Sequence, residues 1–171
     1  TFVAARLEID SWRWAGVPWY VRVGKGLAAS AIEAVVELQA PPRLLFGGDE
    51  CAPPERNLLR FRMGASDGVT FSLQTKRPGP QLDSQRIDVA VDFETALGSR
   101  QEAYERLLAD AIAGSPRRFA RSDVVHRTWQ IVQPVLDHPG SVHPYERGTW
   151  GPDDAITVLA QGDRWHEPTT G

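Results

Sequence analysis

Gly24-Lys-Gly-Leu-Ala-Ala-Ser-Ala-Ile-Glu-Ala-Val-Val-Glu-Leu38 decides how this chain folds. Its first six residues imitate the Gly-x-Gly-x-x-Ala turn that joins a strand to a helix and cradles a dinucleotide pyrophosphate. The second half refuses the imitation. Ile32, Ala34, Val36 and Leu38 alternate with Glu33, Val35, Glu37 and Gln39, and a period of two belongs to a strand with one solvated face. A strand in that place leaves no helix N-terminus to face a pyrophosphate.

The pattern extends in both directions. Phe2 to Ile9 and Trp19 to Val23 are rich in β-branched and aromatic residues, as are Leu58 to Met63, Val69 to Lys76 and Arg86 to Phe93. Pro41-Pro42 ends the central strand and Gly47 to Pro54 forms a polar loop, while Ser66-Asp67-Gly68 and Pro78-Gly79-Pro80 supply turns. Adjacent strands with short turns pair antiparallel. The period then changes to 3.6: Ala103, Tyr104, Leu107, Leu108, Ala111 and Ile112 share one helical face, and Gly114 with Ser115-Pro116 stops it. A second helix is expected from Ser122 as N-cap, carrying Val125, Trp129 and Val132 inward, with Pro134 kinking or shortening it. Gly151-Pro152-Asp153-Asp154 signals a third, with Pro152 at its first helical position. Strands followed by helices predict an α+β domain: a large, mostly antiparallel sheet with helices packed on one face. At 171 residues and 42% apolar content, the chain reads as one domain over 1–171.

A net charge of −3 argues against a phosphate-backbone binder, so nucleic acid is not an expected partner. The basic cluster Arg117-Arg118 with Arg121 is short, and fits a solvated turn or a contact with a helix C-terminus. Cys51 is alone, which excludes an intrachain disulfide framework and favours a reducing, cytoplasmic setting. No apolar run approaches the roughly 18 residues of a bilayer span, so no membrane partner is expected. Opening on Thr1 and running at once into a strand, the chain reads as part of a longer polypeptide.

Candidate chemistry is sparse. Trp12, Trp14 and Trp19 crowd the stretch before Lys25 and need a packed surface to cover them. Lys25, between Gly24 and Gly26, is placed as a compact positive charge where the backbone lets an anion approach, although exposed turn lysines are commonplace. Arg22 and Arg62 lie in strands, where arginines commonly snorkel or pair with carboxylates. His126, His138, His143 and His166 lack metal-ligand spacing, so no metal is assigned. No Ser/His/Asp order or Gly-x-Ser-x-Gly elbow is present, and no catalytic residue is assigned. Trp129, Trp150 and Trp165 read as packing residues.

Three blocks carry a resemblance: Ile9-Asp-Ser-Trp-Arg-Trp-Ala-Gly-Val-Pro-Trp-Tyr-Val-Arg-Val-Gly-Lys25; Glu102-Ala-Tyr-Glu-Arg-Leu-Leu-Ala-Asp110 with Phe119-Ala-Arg-Ser-Asp-Val124 and Trp129; and Tyr145-Glu-Arg-Gly-Thr-Trp-Gly-Pro152. Together they resemble the C-terminal domain of glucose-6-phosphate dehydrogenase, in the family's order and over essentially all 171 residues. The resemblance implies an antiparallel sheet that forms a homodimer interface. It also implies an intact enzyme of the pentose phosphate pathway that oxidises glucose 6-phosphate to 6-phosphogluconolactone and passes hydride to NADP. The Rossmann fingerprint and the catalytic histidine of the family belong to an N-terminal domain absent from these residues, so the chain alone is expected to be inactive and NADP to be bound mainly by that other domain.

By the same resemblance Lys25, the lysine of the Gly-Val-Pro-x-x-x-Arg-x-Gly-Lys run, reaches the sugar phosphate. Arg22 and Arg62 match arginines that in some members contact a second, structural NADP. The chain departs from the family where a basic residue usually follows the lysine by five positions, here Ser30, and where a glutamine often follows the strand arginine by two, here Gly64. Trp150-Gly-Pro also replaces the Arg-Gly-Pro of members that hold the structural nucleotide. These departures motivate a second reading, a non-catalytic assembly or regulatory module that keeps the sheet and the dimer interface.

Overall fold

The computed structural model describes residues 1–40, 55–64, 66–80, 84–99 and 102–168. Cys51, the Pro41-Pro42 strand end and the loop expected at Gly47 to Pro54 lie outside them. Among the described residues there are six strands: β1 (Phe2–Leu7), β2 (Trp19–Gly24), β3 (Ile32–Glu37), β4 (Leu58–Met63), β5 (Gly68–Lys76) and β6 (Ser84–Asp92). All pair antiparallel, in a two-stranded sheet β1-β2 and a four-stranded sheet β3-β4-β5-β6. With helices α1 (Phe93–Leu97), α2 (Ala103–Ile112) and α3 (Ser122–Asp137), the class is α+β. The described strands are thus shared between two sheets.

The register sorts the four-stranded sheet into two unlike faces. Ile32, Ala34 and Val36 of β3 stand opposite Met63, Phe61 and Leu59 of β4, which continue onto Val69, Phe71 and Leu73 of β5 and Val91, Val89 and Ile87 of β6. These twelve residues are apolar, and the face turns polar only at the end of the β5-β6 pair, where Thr75 stands opposite Gln85. Ile32 is nevertheless 65% exposed and Met63 48% exposed. The opposite face carries Glu33, Glu37, Arg60, Arg62, Ser72, Arg86 and Asp88, and it contains the two most buried side chains, Leu58 and Ser72. Ser72 accepts from Arg86 Nη2 at 2.9 Å, and a hydrogen bond from Ser72, helped by Arg86, holds the Asp88 carboxyl below its ordinary range.

The chain divides into two compact units, Thr1–Gly98 with Tyr145–Gly171, and Ser99–Pro144. In the first, the strand expected to run through Phe93 stops at Asp92, whose Oδ1 accepts the Thr95 amide at 2.8 Å and caps α1. This bond lowers the Asp92 pKa. The third helix is realised as a 3-10 turn, Asp153–Val158, with Pro152 as its N-cap rather than its first helical residue. Trp14 and Trp19 meet edge to face at 4.9 Å, whereas Trp12, expected to need cover, is 92% exposed.

In the second unit, α2 ends at Ala113 and Gly114 adopts φ +66°, the left-handed conformation that glycine permits. Arg121, not Ser122, is the N-cap of α3, and no side chain caps it. Pro134 lies inside that helix, which continues to Asp137. Val125, Trp129 and Val132, expected inward, are 44%, 61% and 40% exposed. Two helices in a unit this short leave one another's apolar stripes largely uncovered. Arg118 pairs with Asp110 near the end of α2 and Arg121 with Asp123, so two of the three arginines of the basic cluster are paired locally.

Candidate functional site

The turn that carries Lys25 is fixed through its backbone. β1 pairs Phe2 with Gly24, and the Lys25 amide donates to the Thr1 carbonyl at 3.1 Å. A Cβ on Gly24 would lie 2.8 Å from the Phe2 ring, so glycine lets the first residues of β1 close over the end of β2. From far along the chain, Tyr145 donates its hydroxyl to the Lys25 carbonyl at 2.7 Å, and the amides of Gly148 and Ala28 bond the carbonyls of Gly26 and Thr149 at 2.8 and 3.0 Å. The Tyr145 ring packs on Phe2 at 5.5 Å. Gly26, at φ +67°, supplies the left-handed step.

These bonds immobilise the main chain of the turn and none of them uses the lysine ammonium. Lys25 is exposed, and among the described residues its side chain has no ion-pair partner. A point charge on a pinned backbone costs less ordering entropy to engage an anion than the same charge on a mobile loop.

Arg22, three residues earlier on β2, is held differently. Its guanidinium lies 5.1 Å from the centre of the Trp150 ring and 5.0 Å from that of Trp165, a cation between two indole faces. One Nη reaches the His166 carbonyl at 3.4 Å, and burial lowers the Arg22 pKa. The surrounding segment is itself tied down. Trp165 donates Nε1 to the Ala155 carbonyl at 3.0 Å, and Tyr20 donates its hydroxyl to Asp163 at 2.6 Å while accepting the Ala160 amide at 3.0 Å. The bond to Asp163 raises the Tyr20 pKa. Trp150 and Trp165 are therefore packing residues, as their sequence context indicates, and what they pack on is a cation.

Arg62 lies on β4 of the other sheet, opposite Glu33 and Gly68. A Cβ on Gly68 would stand 2.7 Å from Arg62 Nη2 and 2.6 Å from the Val91 carbonyl, so glycine makes the space the guanidinium uses. Among the described residues the Arg62 Nε is buried without a hydrogen-bond partner. The neighbours of Arg22 and those of Arg62 are different residues. Gly64 takes φ +125°, where a glutamine would be strained.

Sequence reasoning missed the polar network on β3 and β4. Arg60 Nη1 contacts Glu33 at 2.8 Å with side-chain exposures of 13% and 4%, and also donates to the Glu167 carbonyl at 3.0 Å. Glu37 contacts Arg56 at 2.7 Å and His166 at 2.9 Å. The signal was the strand alternation itself: Glu33 and Glu37 share a face, and the register brings Arg60 of β4, and Arg56 just before that strand, beside them.

Residues 1–166 match the sequence profile of the family described as glucose-6-phosphate dehydrogenase, C-terminal domain. The chain is 41% identical over 170 residues to glucose-6-phosphate 1-dehydrogenase 1 of Mycobacterium tuberculosis, covering 98% of this chain and 35% of that protein. It is 37% identical over 174 residues to glucose-6-phosphate 1-dehydrogenase of Aggregatibacter actinomycetemcomitans, covering 99% and 34%. The crystal structure of the Mycobacterium avium glucose-6-phosphate 1-dehydrogenase superposes with a TM-score of 0.83 at 35% identity, over 100% of this chain and 36% of that one. A glucose-6-phosphate dehydrogenase solved in complex with its substrate glucose 6-phosphate superposes at 0.78 with 26% identity, over 98% and 35%. The chain spans about a third of the length of these relatives.

Proposed function

This chain belongs to the family of the glucose-6-phosphate dehydrogenase C-terminal domain, and from that premise we propose that it is the substrate-binding and dimerisation part of an enzyme that oxidises glucose 6-phosphate to 6-phosphogluconolactone with NADP. The observation that carries the proposal is the state of Lys25: its backbone is pinned by Thr1 and Tyr145, and its ammonium is exposed and unpaired among the described residues. A phosphate dianion meets there a charge-assisted hydrogen bond worth about 1.5–3 kcal/mol. Lys25 binds and orients the sugar through its phosphate and takes no part in proton or hydride transfer.

The residues present do not fit the redox cofactor. Gly24 to Ala29 leads into β3 rather than a helix, and Arg22 is engaged by Trp150 and Trp165. NADP and the catalytic base are accordingly assigned to the N-terminal Rossmann domain that the resemblance implies, and this chain alone is inactive. Arg22 and Arg62 are retained as candidate contacts for a second nucleotide only if the indoles release Arg22. No described helix is long and apolar enough to cross a membrane, and a cytoplasmic enzyme fits the single cysteine.

The apolar face of the four-stranded sheet supports the homodimer. It runs unbroken across β3 to β6, and contiguous apolar surface of that extent marks an association site on soluble proteins. Burying each large side chain there is worth about 1.5–3 kcal/mol.

Steady-state kinetics of the full-length enzyme with Lys25→Met test the reading. KM for glucose 6-phosphate is expected to rise on the order of tenfold or more with the KM for NADP unchanged. An unchanged sugar-phosphate KM would favour the non-catalytic assembly module that Ser30 and Gly64 otherwise motivate.

A further inference from the structure

The turn that presents Lys25 presents a second cation. Arg147 runs across Gly26, with its Cγ and Nε each 3.6 Å from the point where a Gly26 Cβ would stand. The next residue, Gly148, donates its amide to the Gly26 carbonyl at 2.8 Å. Lys25 and Arg147 therefore flank one backbone hydrogen bond, each a single residue away from it. Both are exposed, and among the described residues neither has an ion-pair partner. Other arginines of the described residues do find carboxylates: Arg6 with Glu8, Arg56 with Glu37, Arg60 with Glu33, Arg86 with Asp88, Arg118 with Asp110 and Arg121 with Asp123.

Where two cations rise from adjoining backbone, an anion bound by both offsets their mutual repulsion. The backbone of both residues is fixed, Lys25 by Thr1 and Tyr145, and the 146–149 turn by Thr149, whose Oγ1 donates to the Glu146 carbonyl at 2.7 Å. The side chains are complementary for a phosphate. An ammonium is a compact point charge, and a guanidinium offers a planar fork that spans two oxygens.

We propose that Arg147 is a second phosphate-binding residue of the substrate site, supplying from the loop after Pro144 the positive charge that is missing at Ser30. The inference rests on the reading of Lys25 given above and adds to it. Ser30 lies only five residues beyond Lys25, and an arginine that comes over Gly26 from the 146–149 turn restores a two-cation site without a basic residue at that position.

The test uses the full-length enzyme with Arg147→Met, which keeps an unbranched stem over Gly26 and removes the charge, and Arg147→Lys, which keeps the charge. Arg147→Met is expected to raise the KM for glucose 6-phosphate about tenfold at constant NADP KM, with Arg147→Lys within about threefold of the parent. The rise of that KM with added salt becomes shallower in Arg147→Met, because one fewer cation is screened. A role confined to packing would leave the salt dependence unaltered and would not be rescued by lysine. An unchanged KM in Arg147→Met beside a raised KM in Lys25→Met overturns this proposal and leaves the Lys25 reading standing. Unchanged KM values in both variants defeat the two together.

Discussion

Two stretches of the C-terminal part of the chain fold back on the early strands, to opposite effect. Residues 145–149 bond the main chain of the Lys25 turn and leave two cations, Lys25 and Arg147, facing solvent. Residues 160–168 do the reverse and consume side chains: Tyr20 goes to Asp163, Arg22 to Trp165, Glu37 to His166 and Arg60 to the Glu167 carbonyl. A cation that has been given partners contributes to stability and is withdrawn from binding. A cation left on a rigid backbone without partners contributes little to stability and keeps its charge for a ligand. The local sequence around Arg22 and Lys25 does not separate these fates, because the residues that decide them lie more than a hundred positions away.

The largest expected effect falls in the consumed network. Arg60→Ala takes one ion-pair partner from the Glu33 carboxylate, 4% exposed, and is expected to cost about 3 kcal/mol. Urea unfolding followed by tryptophan fluorescence measures it. Replacing both residues by apolar ones, Arg60→Met with Glu33→Leu, recovers much of the loss if the cost comes from keeping a carboxylate buried with fewer partners. A loss below about 1 kcal/mol in Arg60→Ala would place Arg60 with the surface pairs and erase the contrast with Lys25.

Tyr20 sharpens the comparison through pH. Its hydroxyl donates to the Asp163 carboxylate, which favours the protonated phenol and raises its pKa above the unfolded value near 10. The stabilisation is complete below the unfolded value and is lost as pH rises through the folded one. Tyr20→Phe is expected to cost about 1.5–3 kcal/mol at neutral pH, since a charged acceptor and the Ala160 amide both lose their partner. The variant should also flatten the alkaline decline in stability. A parallel decline in parent and variant between pH 9 and 12 would remove Tyr20 from the network.

How much of this was legible in the sequence depends on range. Alternation in Ile32 to Leu38 located β3 within one residue, and β4 was read at its observed bounds, because period two is a local signal. Asp92 shows where local reading gave out: Phe93 extends the strand pattern, yet Asp92 accepting from Thr95, with Gly98 at the far end, is a cap that outweighs it. Lys25 was singled out by its glycines and by resemblance. Arg147 was not, since only the fold brings it over Gly26, and the aromatic cage of Arg22 needed the placement of residues 150 and 165.

The smallest effect tests whether the fixed backbone of the turn matters apart from its charge. Tyr145→Phe keeps the ring against Phe2 and deletes the hydroxyl that donates to the Lys25 carbonyl at 2.7 Å. The bond is exposed, so water replaces much of it and stability is expected to fall by only about 0.5–1 kcal/mol. Binding should lose slightly more, because a looser turn must be ordered again each time the phosphate docks. The expected KM increase for glucose 6-phosphate is about two- to fourfold, and the same increase should be absent when Tyr145→Phe is made in the Lys25→Met background. Full additivity of the two changes would mean that the hydroxyl acts on the site by some route other than the lysine it holds, and would dissolve the distinction between a loop that positions a charge and a strap that spends one.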